Sequence, residues 1–362
     1  MQCKNCHNFQ SNNDWKCTKC GASINGGVVF VTGISGSGTE EHLRKVADLA
    51  RNNKHNHSLK IFDVGEMMRH LAFDDDPDVN WDKILDSDER ALRNLRVTVL
   101  RDLAYSVNHN PEMLHIVDLH LSFRWYSYLT RGFEPRFIDT LKPHIRCFIN
   151  LIEDLSTVQD RLKSTSWGER NILELMIWRD EELFLTDLYA DICGRVKSYV
   201  VSTNEPPSVV EQLIWHPNMK KVYLSFPITN ILDDKEANNE IVAFRDAIRE
   251  FLTVFDPYAC KDYDETYKRP EMSSLRDKVG QTTVDRDFRF IDQSDAIVVY
   301  FPKKVASKGV DAEMNHARRV GKPIYLYSPE HLGGGPFAVP PKHYKSDQRE
   351  FIGLLRNELS DA

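Results

Sequence analysis

Short apolar runs that suit buried strands alternate along this chain with longer stretches whose apolar residues recur at helical spacing, and that change of period limits the fold. Asp295-Ala-Ile-Val-Val-Tyr-Phe301 reads as a buried parallel strand and Gly321-Lys-Pro-Ile-Tyr-Leu-Tyr327 as the next, with a loop and a helix between them. Near the other end, Gly26-Gly-Val-Val-Phe-Val-Thr-Gly-Ile-Ser-Gly-Ser-Gly-Thr-Glu-Glu41 runs strand, glycine loop, helix. Such alternation predicts the α/β class, with two doubly wound parallel-sheet domains. A chain of 362 residues, 41% apolar and 28% charged, is long enough to bury two sizeable cores. Pro217, within Trp215-His-Pro-Asn-Met219, marks a break, so the expected division is 1–25, 26–217 and 218–362.

Open parallel sheets bind ligands beyond the carboxyl ends of their strands. In the C-terminal domain this places the site at loop 302–310 and at a helix start expected over Asp311 to Glu313, where free backbone N–H groups favour an anion such as a 5′-phosphate. Glu313, in the first turn of that helix, is well placed as a nucleophile toward a sugar phosphate, although an acid there also simply complements the helix dipole. Lys303, Lys304 and Lys308 add positive charge nearby, and Asp311 either raises the pKa of Glu313 or faces away. Upstream, Asp285, Asp287, Asp292 and Asp295 crowd one amphipathic helix with Val284, Phe288 and Ile291 as its core stripe, and Asp295 reads as a cap or turn residue.

Between Lys221 and Tyr327 the order and spacing of four segments stand out: Val222-Tyr-Leu-Ser-Phe-Pro-Ile-Thr229, Asp287-Phe-Arg-Phe-Ile-Asp-Gln-Ser-Asp295, Ser307-x-Gly-Val-x-x-Glu313 and Gly321-Lys-Pro323. They resemble the nucleoside 2-deoxyribosyltransferase superfamily, particularly its 2′-deoxynucleoside 5′-monophosphate N-glycosidase branch. The resemblance implies a Rossmann- or flavodoxin-like fold in which Glu313 attacks C1′ of the sugar and Asp287 helps the base leave. It also implies that Tyr223, Ser225, Pro227, Ser307 and Gly309 contact the substrate. A serine at 307 suits a phosphate, since a hydroxyl donates to it where a carboxylate would repel it. Water resolving the glycosyl-enzyme would give hydrolysis, and a second base would give transfer. Ser225-Phe-Pro-Ile-Thr-Asn230 departs from the glycine-rich, arginine-containing loop of the monophosphate branch. Relatives often complete their sites across subunits, so a homo-oligomer is expected.

In the middle domain the spacing Gly33-x4-Gly38 is that of a Walker A loop, yet Thr39 stands where lysine should neutralise phosphate and Glu40 where Ser or Thr should hold Mg²⁺. With Ile61-Phe-Asp-Val-Gly-Glu-Met-Met-Arg69, His115-Ile-Val-Asp-Leu-His120, Cys147 to Glu153 and Tyr199 to Thr203, the segment from Val28 to Leu213 resembles an archaeal-type adenylate kinase. That implies a nucleotide, ATP or another, cradled by Gly33, Gly36, Gly38 and Thr39. It also implies an acceptor monophosphate at Gly65, Arg69 and the stretch from Asp118 to Arg124, and Arg161, Arg170 or Arg179 as lid arginines. Without the lysine, the expectation is a nucleotide-binding or oligomerisation module. Phosphotransfer, or nucleotide sensing without catalysis, is the alternative.

Cys3-x-x-Cys6 and Cys17-x-x-Cys20 offer four thiolates to one tetrahedral metal, a structural Zn²⁺ ribbon with no position left for water. Such a ribbon could touch nucleic acid or a partner, and its sequence does not decide. A net charge of −7 argues against a nucleic-acid protein held mainly by electrostatics. The absence of a long apolar run or a signal-peptide pattern, and scattered cysteines at 147, 193 and 260, suit a cytoplasmic protein away from membranes.

Overall fold

The computed structural model describes residues 26–53, 59–126, 128–228, 234–303, 305–329 and 343–360. The expected zinc ligands Cys3, Cys6, Cys17 and Cys20 lie outside them, as does Lys304. Residues up to Thr203 form one compact unit and those from Asn204 a second. The division falls earlier than the break expected at Pro217, because Pro207–Trp215 is a helix whose buried Val209, Val210, Leu213 and Ile214 belong with the second unit. Glu205, just before that helix, is buried and accepts hydrogen bonds from Arg249 and, at 2.7 Å, from the Asp256 amide.

In the first unit, strands β1 (Gly27–Thr32), β2 (Leu59–Asp63), β3 (Leu114–Asp118), β6 (Ile145–Ile152) and β7 (Lys197–Ser202) form one parallel sheet in the order β2-β3-β1-β6-β7. Val28 and Phe30 of β1 pack with Phe148 of β6 and with Val99, Leu100 and Leu103 of helix Glu89–His109. The rings of Phe30 and Phe148 stack at 5.1 Å. A hairpin of β4 (Ser122–Trp125) and β5 (Tyr128–Arg131) follows β3, an element the apolar pattern did not announce.

In the second unit, β8 (Lys221–Ser225), β9 (Thr253–Phe255), β10 (Ala296–Tyr300), β11 (Ile324–Tyr327) and β12 (Tyr344–Lys345) are also all parallel, in the order β12-β11-β10-β8-β9. This is the flavodoxin-like winding, and chain order reverses between β8 and β10, the point at whose carboxyl ends open sheets of this kind bind ligands. Val222, Leu224, Val298 and Tyr300 face a core with Ile241, Phe244, Phe351 and Leu355. Tyr223 and Ser225, two apart and therefore on the opposite face, are buried as well. At the foot of the sheet Asp295 behaves as the turn residue it reads as. Its amide donates to the Lys221 carbonyl at 2.7 Å and its carboxylate accepts from the Lys221 amide at 2.8 Å.

Candidate functional site

Glu313 sits in helix Lys308–Arg319. That helix starts earlier than the expected Asp311, so Glu313 lies in its second turn rather than its first. Ser307 is the N-cap, accepting from the Val310 amide at 3.4 Å. The serine expected to meet phosphate therefore caps a helix, and only its hydroxyl proton is left to donate. Gly309 is exposed in the first turn, and Pro227 is buried just past β8.

The Glu313 carboxylate is met from the sheet by two hydroxyls. Tyr223 donates to Oε1 at 2.9 Å, and Ser225 donates to Oε2. Both side chains are assigned to substrate by the resemblance, and in the structure both are bonded to the expected nucleophile. Burial pushes the Glu313 carboxyl up to about 8, and negative charge on Asp287 adds to the shift, while Ser225, Tyr223 and Arg286 act the other way. Asp311 is exposed, and Asp287 is the carboxylate that perturbs Glu313. Burial also raises Asp287, against the pull of the adjacent Arg286.

Asp287 lies in helix Arg276–Gln293, whose buried residues are Val279, Phe290 and Ile291. Val284, expected in the core stripe, is 43% exposed, because the stripe is rotated toward Phe290. The other acids are occupied elsewhere: Asp285 accepts from Gln281 at 3.0 Å, and Asp292 pairs with His316 at 2.8 Å. Lys303, expected near phosphate, forms an ion pair with Asp234 at 2.5 Å. Arg286 was not singled out from the sequence, because its partners, the carbonyls of Pro257 and Cys260, are remote in the chain.

In the first unit the glycine loop leads from β1 into helix Thr39–Asn52. Gly36 has φ +83° and Gly38, the N-cap, φ +79°, backbone that glycine adopts without strain. Thr39, in the lysine position, is buried with its hydroxyl 3.0 Å from that of Ser37. A cation reaches this loop from elsewhere: Arg161 donates to the Gly36 carbonyl at 3.0 Å and pairs with Glu153 at 3.2 Å. A Cβ on Gly38 would lie 2.8 Å from Arg161 Nη1. The carbonyl of Gly33 accepts from His120 Nδ1, and its amide faces the buried carboxylate of Glu182. Glu182 also accepts from the Leu121 amide at 2.6 Å and the Ser122 amide at 2.9 Å, and burial lifts it to about 8.

The expected acceptor residues are drawn into ion pairs. Arg69 binds Glu66 through both Nε, at 2.7 Å, and Nη2, and Arg124 binds Glu181 in the same way, its Nε at 2.7 Å. Gly65 lies in the first turn of helix Val64–Asp75. Of the other expected lid arginines, Arg170 donates to the Arg124 carbonyl at 3.2 Å and Arg179 to the Glu153 carbonyl at 3.2 Å. The loop thus keeps two glycines at positive φ, while Thr39 and Glu40 stand in the positions expected for the lysine and the Mg²⁺ ligand.

No protein-family model matches this chain, and no curated protein does. Among solved structures it is similar to a sugar kinase from Janibacter sp., 18% identical over 53% of this chain and 92% of that one, with a TM-score of 0.30. A shikimate kinase from Acinetobacter baumannii is 12% identical over 54% of this chain and 97% of its own, at a TM-score of 0.35. A tunicamycin resistance protein from Deinococcus radiodurans is 14% identical over 53% and 95%, at 0.34. Among the described residues no helix is long and apolar enough to cross a membrane.

Proposed function

We propose that the second unit cleaves the bond between base and sugar in a nucleoside 5′-monophosphate, by way of a glutamyl-glycosyl intermediate. The observation that carries this reading is the Glu313 carboxylate, held by Tyr223 and Ser225 of β8 where chain order reverses, with Asp287 close enough to perturb it. In the first step a Glu313 oxygen bonds to C1′ as the C1′–N bond breaks, and the proton of Asp287 passes to the departing nitrogen. Water then adds at C1′, giving a proton back to Asp287 and releasing Glu313 as carboxylate. The N-terminus of helix Lys308–Arg319 offers amides to the 5′-phosphate. Two acids share one proton here, and the division of labour requires that it leave Glu313, where the charge on Asp287 favours it, and sit on Asp287 at the moment of attack.

A panel of ribo- and deoxyribonucleoside monophosphates, separated by chromatography after incubation, tests the reading. Free base should appear with the wild type and vanish with Glu313→Gln. Failure of every monophosphate to release base would sink it.

A second reading concerns the first unit: its glycine loop binds the phosphates of a nucleotide through main-chain groups, with phosphotransfer as its activity. Arg161 beside Gly36 and Gly38 favours it, as a cation at the loop that Thr39 does not supply. Transfer from ATP to AMP that is insensitive to Glu313→Gln would support this reading. Tight nucleotide binding without turnover would make the unit a sensor.

A further inference from the structure

Asp287 is gripped from one side. Arg286 donates to it twice, from Nε at 3.1 Å and Nη2 at 2.9 Å, and both bonds end on Oδ1. Among the described residues no hydrogen bond reaches Oδ2. Successive residues on a helix do not face one another, so an ion pair between positions 286 and 287 has to be built from outside the helix. The structure shows how. Arg286 Nη1 donates to the Cys260 carbonyl at 3.0 Å and Nη2 to the Pro257 carbonyl at 3.3 Å, which draws the guanidinium sideways across the helix. Its side chain is 9% exposed and lies over the Phe290 ring, 5.8 Å from the centroid.

Resting on the cleavage reading of this site, we infer that Arg286 is its positioning residue: by occupying Oδ1 of Asp287 it leaves Oδ2 as the oxygen that carries the transferable proton to the departing base. The charged and titratable groups around the pair fit that role. Asp287 feels Arg286 and the carboxylate of Asp256, and Asp256 is itself paired with Arg245 at 2.8 Å. Glu313 feels Asp287, Arg286 and the hydroxyls of Tyr223 and Ser225, while Arg286 also faces Cys260 and Asp262. With Arg286 removed, Asp287 would be left among negative neighbours with neither oxygen claimed.

The test uses full-length protein with ¹³C-labelled aspartate carboxyls, Asp287 being assigned by its loss in Asp287→Asn. In Arg286→Gln the Asp287 titration should move up by about 1–3 pH units, the shift an adjacent cation commonly produces. Base release should lose kcat with KM little changed, and its pH profile should move to higher pH. Arg286→Lys restores the charge but cannot serve Oδ1 and two carbonyls together, so the titration should return toward wild type while kcat stays reduced. An unmoved titration, or wild-type kcat in either variant, overturns the inference. Should Arg286→Gln fail to fold, Arg286→Lys carries the test, and full activity in it is the overturning result. A wild type that releases no base, with a titration that still shifts, defeats the cleavage reading and leaves the hold of Arg286 on Asp287 standing. Base release that is indifferent to Arg286 does the reverse.

Discussion

At the scale of single residues, protonation is the property that the two buried glutamates of greatest interest share. As the proposed nucleophile Glu313 has to be ionised, and its carboxyl is pushed up to about 8, so base release should climb as pH rises toward 8 and fall away below it. Tyr223→Phe removes a hydrogen bond that favours the ionised form, so the acid limb of that profile should move to higher pH. A rate profile that ignores pH between 6 and 9 would contradict both expectations. Glu182 offers a stability counterpart. With a folded pKa near 8 against an ordinary 4.5, the folded protein binds the extra proton between those values, so its contribution is complete below 4.5 and is lost as pH rises through 8. The advantage of wild type over Glu182→Gln in thermal unfolding should therefore shrink from pH 5 to pH 8. Glu313 and Asp287 could be named from their spacing in the chain. Arg286 and Glu182 could not, because what makes them matter is remote main chain, the carbonyls of Pro257 and Cys260 in one case and the amides of Leu121 and Ser122 in the other.

Among the elements, legibility followed apolar pattern and failed at caps and short pairs. The buried strands β1, β10 and β11 are readable because each is a short apolar run. The start of helix Lys308–Arg319 differs from the expected Asp311 because its first turn opens on exposed Lys308 and Gly309, and Val310 alone is too little apolar signal to mark it. The hairpin of β4 and β5 was missed since each strand has only four residues, too few for alternation to register. Ser307→Ala should cost about 0.5–1 kcal/mol in urea unfolding, the lower part of the usual capping range, as its bond is long at 3.4 Å. Gly38→Ala should cost about 1–2 kcal/mol, because a Cβ at φ +79° is strained and would also press on Arg161. Nucleotide binding by the loop should weaken with it, which titration with a fluorescent nucleotide would show.

For the whole molecule, the two-sheet organisation followed from the sequence, but the position of the division did not. Pro217 is a sound local break, yet compactness is decided by what Glu205 and helix Pro207–Trp215 pack against, and those partners are in the second unit. A fragment of residues 204–362 should therefore fold and release base, whereas one of residues 218–362 should melt at lower temperature, having lost Glu205 and that helix. Equal melting temperatures would argue that the earlier boundary has no energetic meaning. A zinc ribbon at Cys3, Cys6, Cys17 and Cys20, proposed from their spacing alone, predicts one zinc per molecule of full chain purified without chelator, lost on Cys3→Ser with Cys17→Ser, as metal analysis can establish.

The double link between Asp295 and Lys221 bears on the chemistry although it lies at the far end of the strands. Side chains of a strand alternate between faces, so a slip of a single residue there would turn Tyr223 and Ser225 away from Glu313 together. The carboxylate would lose both hydroxyl donors in one event, without any change to the residues that touch it. An aspartate at the foot of the sheet thus sets which way two hydroxyls point at its crown.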